Sequence, residues 1–79
     1  MPKVTVYSTP TCPWCYKAKE FFKENNVPFE EVNVVADREA AQRMVEKSGQ
    51  MGVPVIEIDD KVIVGFDKNA IKKALKIGS

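Results

Sequence analysis

The chain of 79 residues holds two thiols, and they stand three positions apart in Cys12-Pro13-Trp14-Cys15. They lie where a β-type run gives way to a helical one. On a first helical turn, side chains at i and i+3 face the same way, so the two sulfurs can join without unfolding anything. A Cys-x-x-Cys placed near a βαβ pattern reads as a reversible redox centre.

Such chemistry needs a thiolate. A free cysteine near pKa 8.5 is only a few per cent ionised at neutral pH. Lowering that pKa by ~2 units takes roughly 3 kcal/mol, and a helix dipole supplies only about 0.3–1. The rest must come from the N–H groups of Trp14 and Cys15 and from the Cys15 thiol, all donating to the Cys12 sulfur. Those donors converge on the N-terminal cysteine alone. Cys12 is therefore the expected nucleophile and Cys15 the more buried resolving thiol. Cys12 would attack a substrate disulfide, and Cys15 would then displace the reduced product.

The sequence contains no histidine, which excludes Cys-His and Ser-His nucleophile systems and sites built on histidine ligands. Hydrophobic content of 44%, charged content of 29% and a net charge of +1 are ordinary for a soluble globular chain. Nothing there suggests a field built for nucleic acid or anionic lipid. Apolar stretches of four or five residues are too short to span a bilayer. Met1-Pro2-Lys3 opens no secretory core. The expectation is one domain over 1–79, a monomer in a reducing cytoplasm, where a disulfide is more often transient than structural.

The elements that position the pair follow from patterning. Lys3 to Tyr7 alternates as a strand. Ser8-Thr9-Pro10-Thr11 forms a loop, and a helix follows with Thr11 or Cys12 at its N-cap and Pro13 in its first turn. Its apolar stripe is Trp14, Ala18, Phe21 and Phe22, with Lys17, Lys19, Glu20 and Lys23 outward. Asn25-Asn26 and Pro28 end it. Phe29 to Val35 reads as a strand with Val32 and Val34 on one face. Asp37 caps a helix from Arg38 to Ser48 that buries Ala41, Met44 and Val45 and stops at Gly49. Val55 to Ile58 and Val62 to Val64 flank Asp59-Asp60 as an antiparallel hairpin. Asp67 caps a last helix, Asn69 to Ile77, with Ile71, Ala74 and Leu75 inward and Gly78 ending it. The order βαβαββα gives an α/β fold: one four-stranded mixed sheet flanked by three helices on both faces.

A cysteine pair at this spacing has two other uses, as a staple or as a metal site. A structural staple across four residues yields about 2 kcal/mol, against ~4 for a loop spanning most of such a domain. Two thiolates fall short of the four ligands of structural zinc. They would suit Cu(I) in a trafficking module, but such modules run βαββαβ and end in a strand. An iron–sulfur cluster shared through Cys12 of two chains is a further carrier reading.

Taken with Val6-Tyr7-Ser8, Ser48-Gly49, Val53-Pro54 and Gly65-Phe66-Asp67, the Thr11-Cys12-Pro13-Trp14-Cys15 segment resembles the glutaredoxins of the thioredoxin-like superfamily. The resemblance runs along nearly the whole chain. It implies a thioredoxin-like fold and a dithiol thiol-disulfide oxidoreductase that reduces protein or glutathione mixed disulfides, with no tightly bound cofactor and no metal. It also implies a cis bond before Pro54, a Val53 backbone that pairs with substrate as a short strand, and a Phe66 N–H and Asp67 that hold the γ-glutamyl end of glutathione as co-substrate. The implied groove comprises Thr11, Pro13, Trp14, Val53, Pro54, Gly65, Phe66 and Asp67 around Cys12 and Cys15.

The chain departs from the family pattern at three places. Thr9 stands where a lysine is common, Gly52 replaces threonine, and Gln50-Met51 replaces a basic residue. Two anchors for glutathione carboxylates are thus missing, with Arg43, Lys47 and Lys17 as candidate substitutes. The resemblance also covers short redoxins fed by thioredoxin reductase that serve ribonucleotide reductase or peroxiredoxins.

Overall fold

The computed structural model describes residues 3–76. Seven elements follow in the order β1 (Val4–Ser8), α1 (Pro13–Glu24), β2 (Glu30–Asn33), α2 (Arg38–Ser48), β3 (Val55–Ile58), β4 (Lys61–Val64) and α3 (Lys68–Leu75). The sheet order is β2-β1-β3-β4. β1 and β2 are parallel, with Ser8 opposite Asn33; β3 is antiparallel to β1, with Tyr7 opposite Val55, and to β4.

Alternation along β1 divides the interior in two. Val4 and Val6 turn to one face, where Ala18, Phe21 and Phe22 of α1 and Ile71 and Leu75 of α3 close over Ile56, Ile58 and Ile63. Tyr7 turns to the other face and meets Ala40 and Met44 of α2 and Val55, with Val32 and Val34 at the margin. The three helices therefore cover both faces of a mixed sheet, a thioredoxin-like architecture.

Local signals account for the boundaries. Asp37 and Asp67 accept the N–H groups of Ala40 and Ala70, each at 3.1 Å, which satisfies a donor that the helix start leaves free. Gly49 ends α2 at φ 75, in the left-handed region where glycine has no steric penalty.

Several expectations need correction. β2 covers four residues rather than seven, because Asn33 Oδ1 takes the N–H groups of Val35 and Ala36 at 2.9 and 3.2 Å and turns the chain away. Ala40, not Ala41, is the fully buried alanine of α2, one position round the helix from the expected face. α3 begins at Lys68 and stops at Leu75, where Lys76 takes a left-handed φ of 58. The expected ending at Ile77 and Gly78 falls outside the described residues.

Trp14 is also not part of the buried stripe: it is 57% exposed. The buried line of α1 is Cys15, Ala18, Phe21 and Phe22. Trp14 lies about 100° round the helix from Cys15. Phe21 occupies the same margin and is covered edge-on by Phe66 of the α3 entry, with ring centroids 5.9 Å apart. The Lys17 ammonium lies over the Trp14 ring, 4.5 Å from its centre.

Candidate functional site

β1 ends at Ser8, and the loop after it must reverse into α1. The Cys12 N–H donates to the Thr9 carbonyl at 3.4 Å, closing that loop. Cys12 is the N-cap of α1 in extended conformation, and Pro13 follows at the first helical position, where its missing N–H costs nothing. The cap side chain is a sulfur: the Cys15 N–H donates to Cys12 Sγ at 3.1 Å. Of the backbone donors expected there, Cys15 rather than Trp14 makes the bond. A helix start that would ordinarily recruit a hydroxyl or carboxylate here recruits a thiol group, and an anionic sulfur is the better acceptor for it.

The two thiols differ in surroundings. Both are free; Cys12 is half-buried, whereas Cys15 is 1% exposed. Burial pushes the Cys15 thiol up to about 12, and its bond to Cys12 adds to the effect. A backbone contact from Thr9 and the charge of Lys19 act the other way. The outer sulfur can meet a partner, while the inner one keeps its proton until needed.

The other expected residues are placed as follows. The peptide bond before Pro54 is cis. Tyr7 pairs with Val55, so one step further along the register brings Pro54 to the Ser8 end of the sheet, the end from which the Cys12 loop departs. Pro54 is buried and Val53 half-buried. The Gly65 N–H donates to the Pro54 carbonyl at 2.8 Å, with Gly65 at φ 78, and this ties the entry of α3 to the same end. Thr11 and Pro13 are exposed. Phe66 packs on Phe21, and the Asp67 carboxylate is engaged by its cap.

Two of the candidate anchors are elsewhere. Lys47 binds Glu57 through both carboxylate oxygens at 2.9 and 3.0 Å. With Arg43 it lines a cavity of about 360 Å³ that reaches Lys3, Thr5 and Asp59, towards the far end of β1. Lys17, of the three, lies on the helix that carries both cysteines, its ammonium over the Trp14 ring. Sequence reasoning also missed Lys19. It was placed outward, but its ammonium meets Glu31 Oε2 at 2.6 Å, and the buried Ser8 hydroxyl donates to the same oxygen at 3.1 Å. Its position four residues after Cys15 was a readable signal; the partner on β2 was not. Among the described residues no group of three or more Cys, Asp or Glu is gathered to hold a metal ion, and no helix is long and apolar enough to cross a membrane.

Fold and site together define a thioredoxin-like dithiol protein. Residues 4–63 match the Glutaredoxin family model. The chain is 49% identical over 73 residues to a glutaredoxin-like 8.6 kDa protein of the rubredoxin operon of Clostridium pasteurianum, covering 92% of this chain and 97% of that one. It is 33% identical over 70 residues to the glutaredoxin-like protein NrdH of Lactococcus lactis, covering 89% and 96%. The crystal structure of a glutaredoxin from Archaeoglobus fulgidus superposes with a TM-score of 0.87 at 27% identity, covering 98% of this chain and 89% of that one. The chain belongs to the glutaredoxin family, whose members imply thiol-disulfide oxidoreductase activity.

Proposed function

We propose that the protein is a dithiol thiol-disulfide oxidoreductase, a glutaredoxin-like electron carrier for protein and glutathione mixed disulfides. One observation carries the reading: the Cys15 N–H is aimed at the accessible Cys12 sulfur while the Cys15 sulfur is sealed beneath it. Cys12 attacks a substrate disulfide and takes one of its sulfurs. Cys15 then attacks Cys12, the internal disulfide forms, and the substrate leaves as a thiol. A glutathione adduct on Cys12 is open to a second glutathione as well, a route that bypasses Cys15.

Substrate lies along Thr11, Pro13, Trp14, Val53, Pro54 and Gly65, with the Val53 backbone as a pairing edge. Phe66 and Asp67, at the free N–H groups of the α3 start, take the γ-glutamyl end of glutathione, and Lys17 is the cation at hand for a carboxylate. The protein works as a cytoplasmic monomer without a tightly bound cofactor.

A second reading places a thioredoxin reductase as donor and ribonucleotide reductase or a peroxiredoxin as recipient. The similarity to NrdH favours it, as does the engagement of Lys47 at Glu57, which leaves few cations for glutathione. Supplying glutathione with its reductase, and separately NADPH with thioredoxin reductase, decides between the two by which sustains reduction of insulin or hydroxyethyl disulfide. Turnover with neither sinks both.

A further inference from the structure

Cys15 must lose its proton before it can resolve anything, and its burial opposes that. Lys19 bears on it in the opposite sense. It lies four residues on, one turn further along the same face of α1. Its ammonium is not free to wander. Glu31 Oε2 holds it at 2.6 Å, and Ser8, itself 1% exposed at the end of β1, donates to that same oxygen at 3.1 Å. Glu31 stands opposite Val6 on the sheet and Ser8 is two residues past Val6, so both side chains reach the α1 face. Helix, central strand and edge strand each contribute one group to the clamp.

The remaining charges fit this role. Among the described residues, Cys12 at the N-cap and Lys19 of α1 bear directly on Cys15, while Glu31 of β2 pairs with Lys19 and Lys23, a turn further along α1, bears on Glu31. β1 offers Ser8, which does not titrate. The Lys19 side chain is 24% exposed and that of Glu31 45%, so the ammonium is the more buried member of the pair and water screens the carboxylate more. When Cys12 is tied up in a mixed disulfide, its sulfur is a poorer acceptor for the Cys15 thiol. Lys19 remains.

We propose that Lys19 is a positioning residue for the second half-reaction: clamped by Glu31 and Ser8, its ammonium stabilises the Cys15 thiolate that attacks the mixed disulfide. The proposal rests on the dithiol reading above. In this step the Cys15 Sγ–Cys12 Sγ bond forms and the bond from Cys12 Sγ to the substrate sulfur breaks. Its electron pair leaves on the substrate thiolate, and the proton lost by Cys15 passes through solvent to that thiolate or to buffer.

The reduced protein mixed with dithiobis(nitrobenzoate) separates the steps, since one nitrothiobenzoate is released when Cys12 attacks and a second when Cys15 resolves. Stopped-flow absorbance across a pH series measures both. Lys19→Met and Lys19→Gln should leave the first phase unchanged and slow the second about threefold at neutral pH, with its profile displaced to higher pH. Lys19→Arg should restore the original profile. Two substitutions guard against one that fails to fold. A second-phase profile for the neutral variants that superimposes on that of the parent overturns the role of Lys19, as does an arginine variant as slow as the methionine one. A parent protein with no second phase overturns the dithiol reading itself.

Discussion

The Cys15 amide reaches Cys12 Sγ at 3.1 Å while the Cys15 sulfur lies beneath the surface at 1% exposure. On the proposed dithiol mechanism, one residue would support the nucleophile through its backbone and displace its product through its side chain. Iodoacetamide at neutral pH should alkylate Cys12 first, and peptide mass mapping after brief labelling checks this. Cys12→Ser should abolish disulfide reduction, whereas Cys15→Ser should retain the first attack and accumulate the mixed disulfide. An early adduct on Cys15 would reverse the two roles.

The buried thiol also sets an alkaline limit. The folded chain keeps the Cys15 proton up to about 12, whereas a free cysteine ionises at about 8.5. Between those values the folded state binds more protons than the unfolded one, so stability falls as pH rises. The contribution is complete below the unfolded pKa and is lost on passing the folded one. Denaturant titrations of the reduced protein should therefore lose stability from pH 9 upwards, on the order of a few kcal/mol. Cys15→Ala should show a flatter decline over the same window.

Asp37 and Asp67 make the same cap, each to an N–H three residues on at 3.1 Å. Replacing either by alanine should cost about 0.5–2 kcal/mol in thermal or chemical unfolding. Only Asp67→Ala should in addition raise the KM for a glutathione mixed disulfide. Equal KM values in the two variants would leave Asp67 as a cap alone.

Phe22 is fully buried between Phe21 and Phe29, with ring centroids 5.9 and 5.6 Å away. Phe22→Ala should lower stability by about 3–5 kcal/mol in urea unfolding, the cost of a cavity at a site braced on both sides. Trp14→Ala, at an exposed position, should change stability by no more than about 0.5 kcal/mol while weakening binding of protein disulfides.

Much of this was legible in the chain. Cys12 and Pro13 at a helix start, Asp37, Gly49 and Asp67 at helix ends, and the β3–β4 hairpin are local signals, each carried by a residue whose chemistry matches its position. Ala40 in place of Ala41 and the early end of β2 show the limit of local patterning. The face a helix buries depends on the angle at which it lies on the sheet, and Asn33 competes for backbone N–H groups that a strand would have used. The clamp on Lys19 was out of reach for a stronger reason. Glu31 comes near α1 only through the register of β1 with β2, a long-range pairing that neither segment encodes alone. Trp14 falls on the apolar stripe because helical periodicity marks a stripe and says nothing of whether a neighbour arrives to cover it.

The outermost strands, β2 and β4, are four residues long each. Glu30 and Glu31 crowd one rim with carboxylates, and Lys61 opens the other with an ammonium, all exposed. Rims this short and charged are poor templates for another molecule's extended backbone. A chain with such rims is thereby guarded against edge-to-edge recruitment into the aggregates of other proteins.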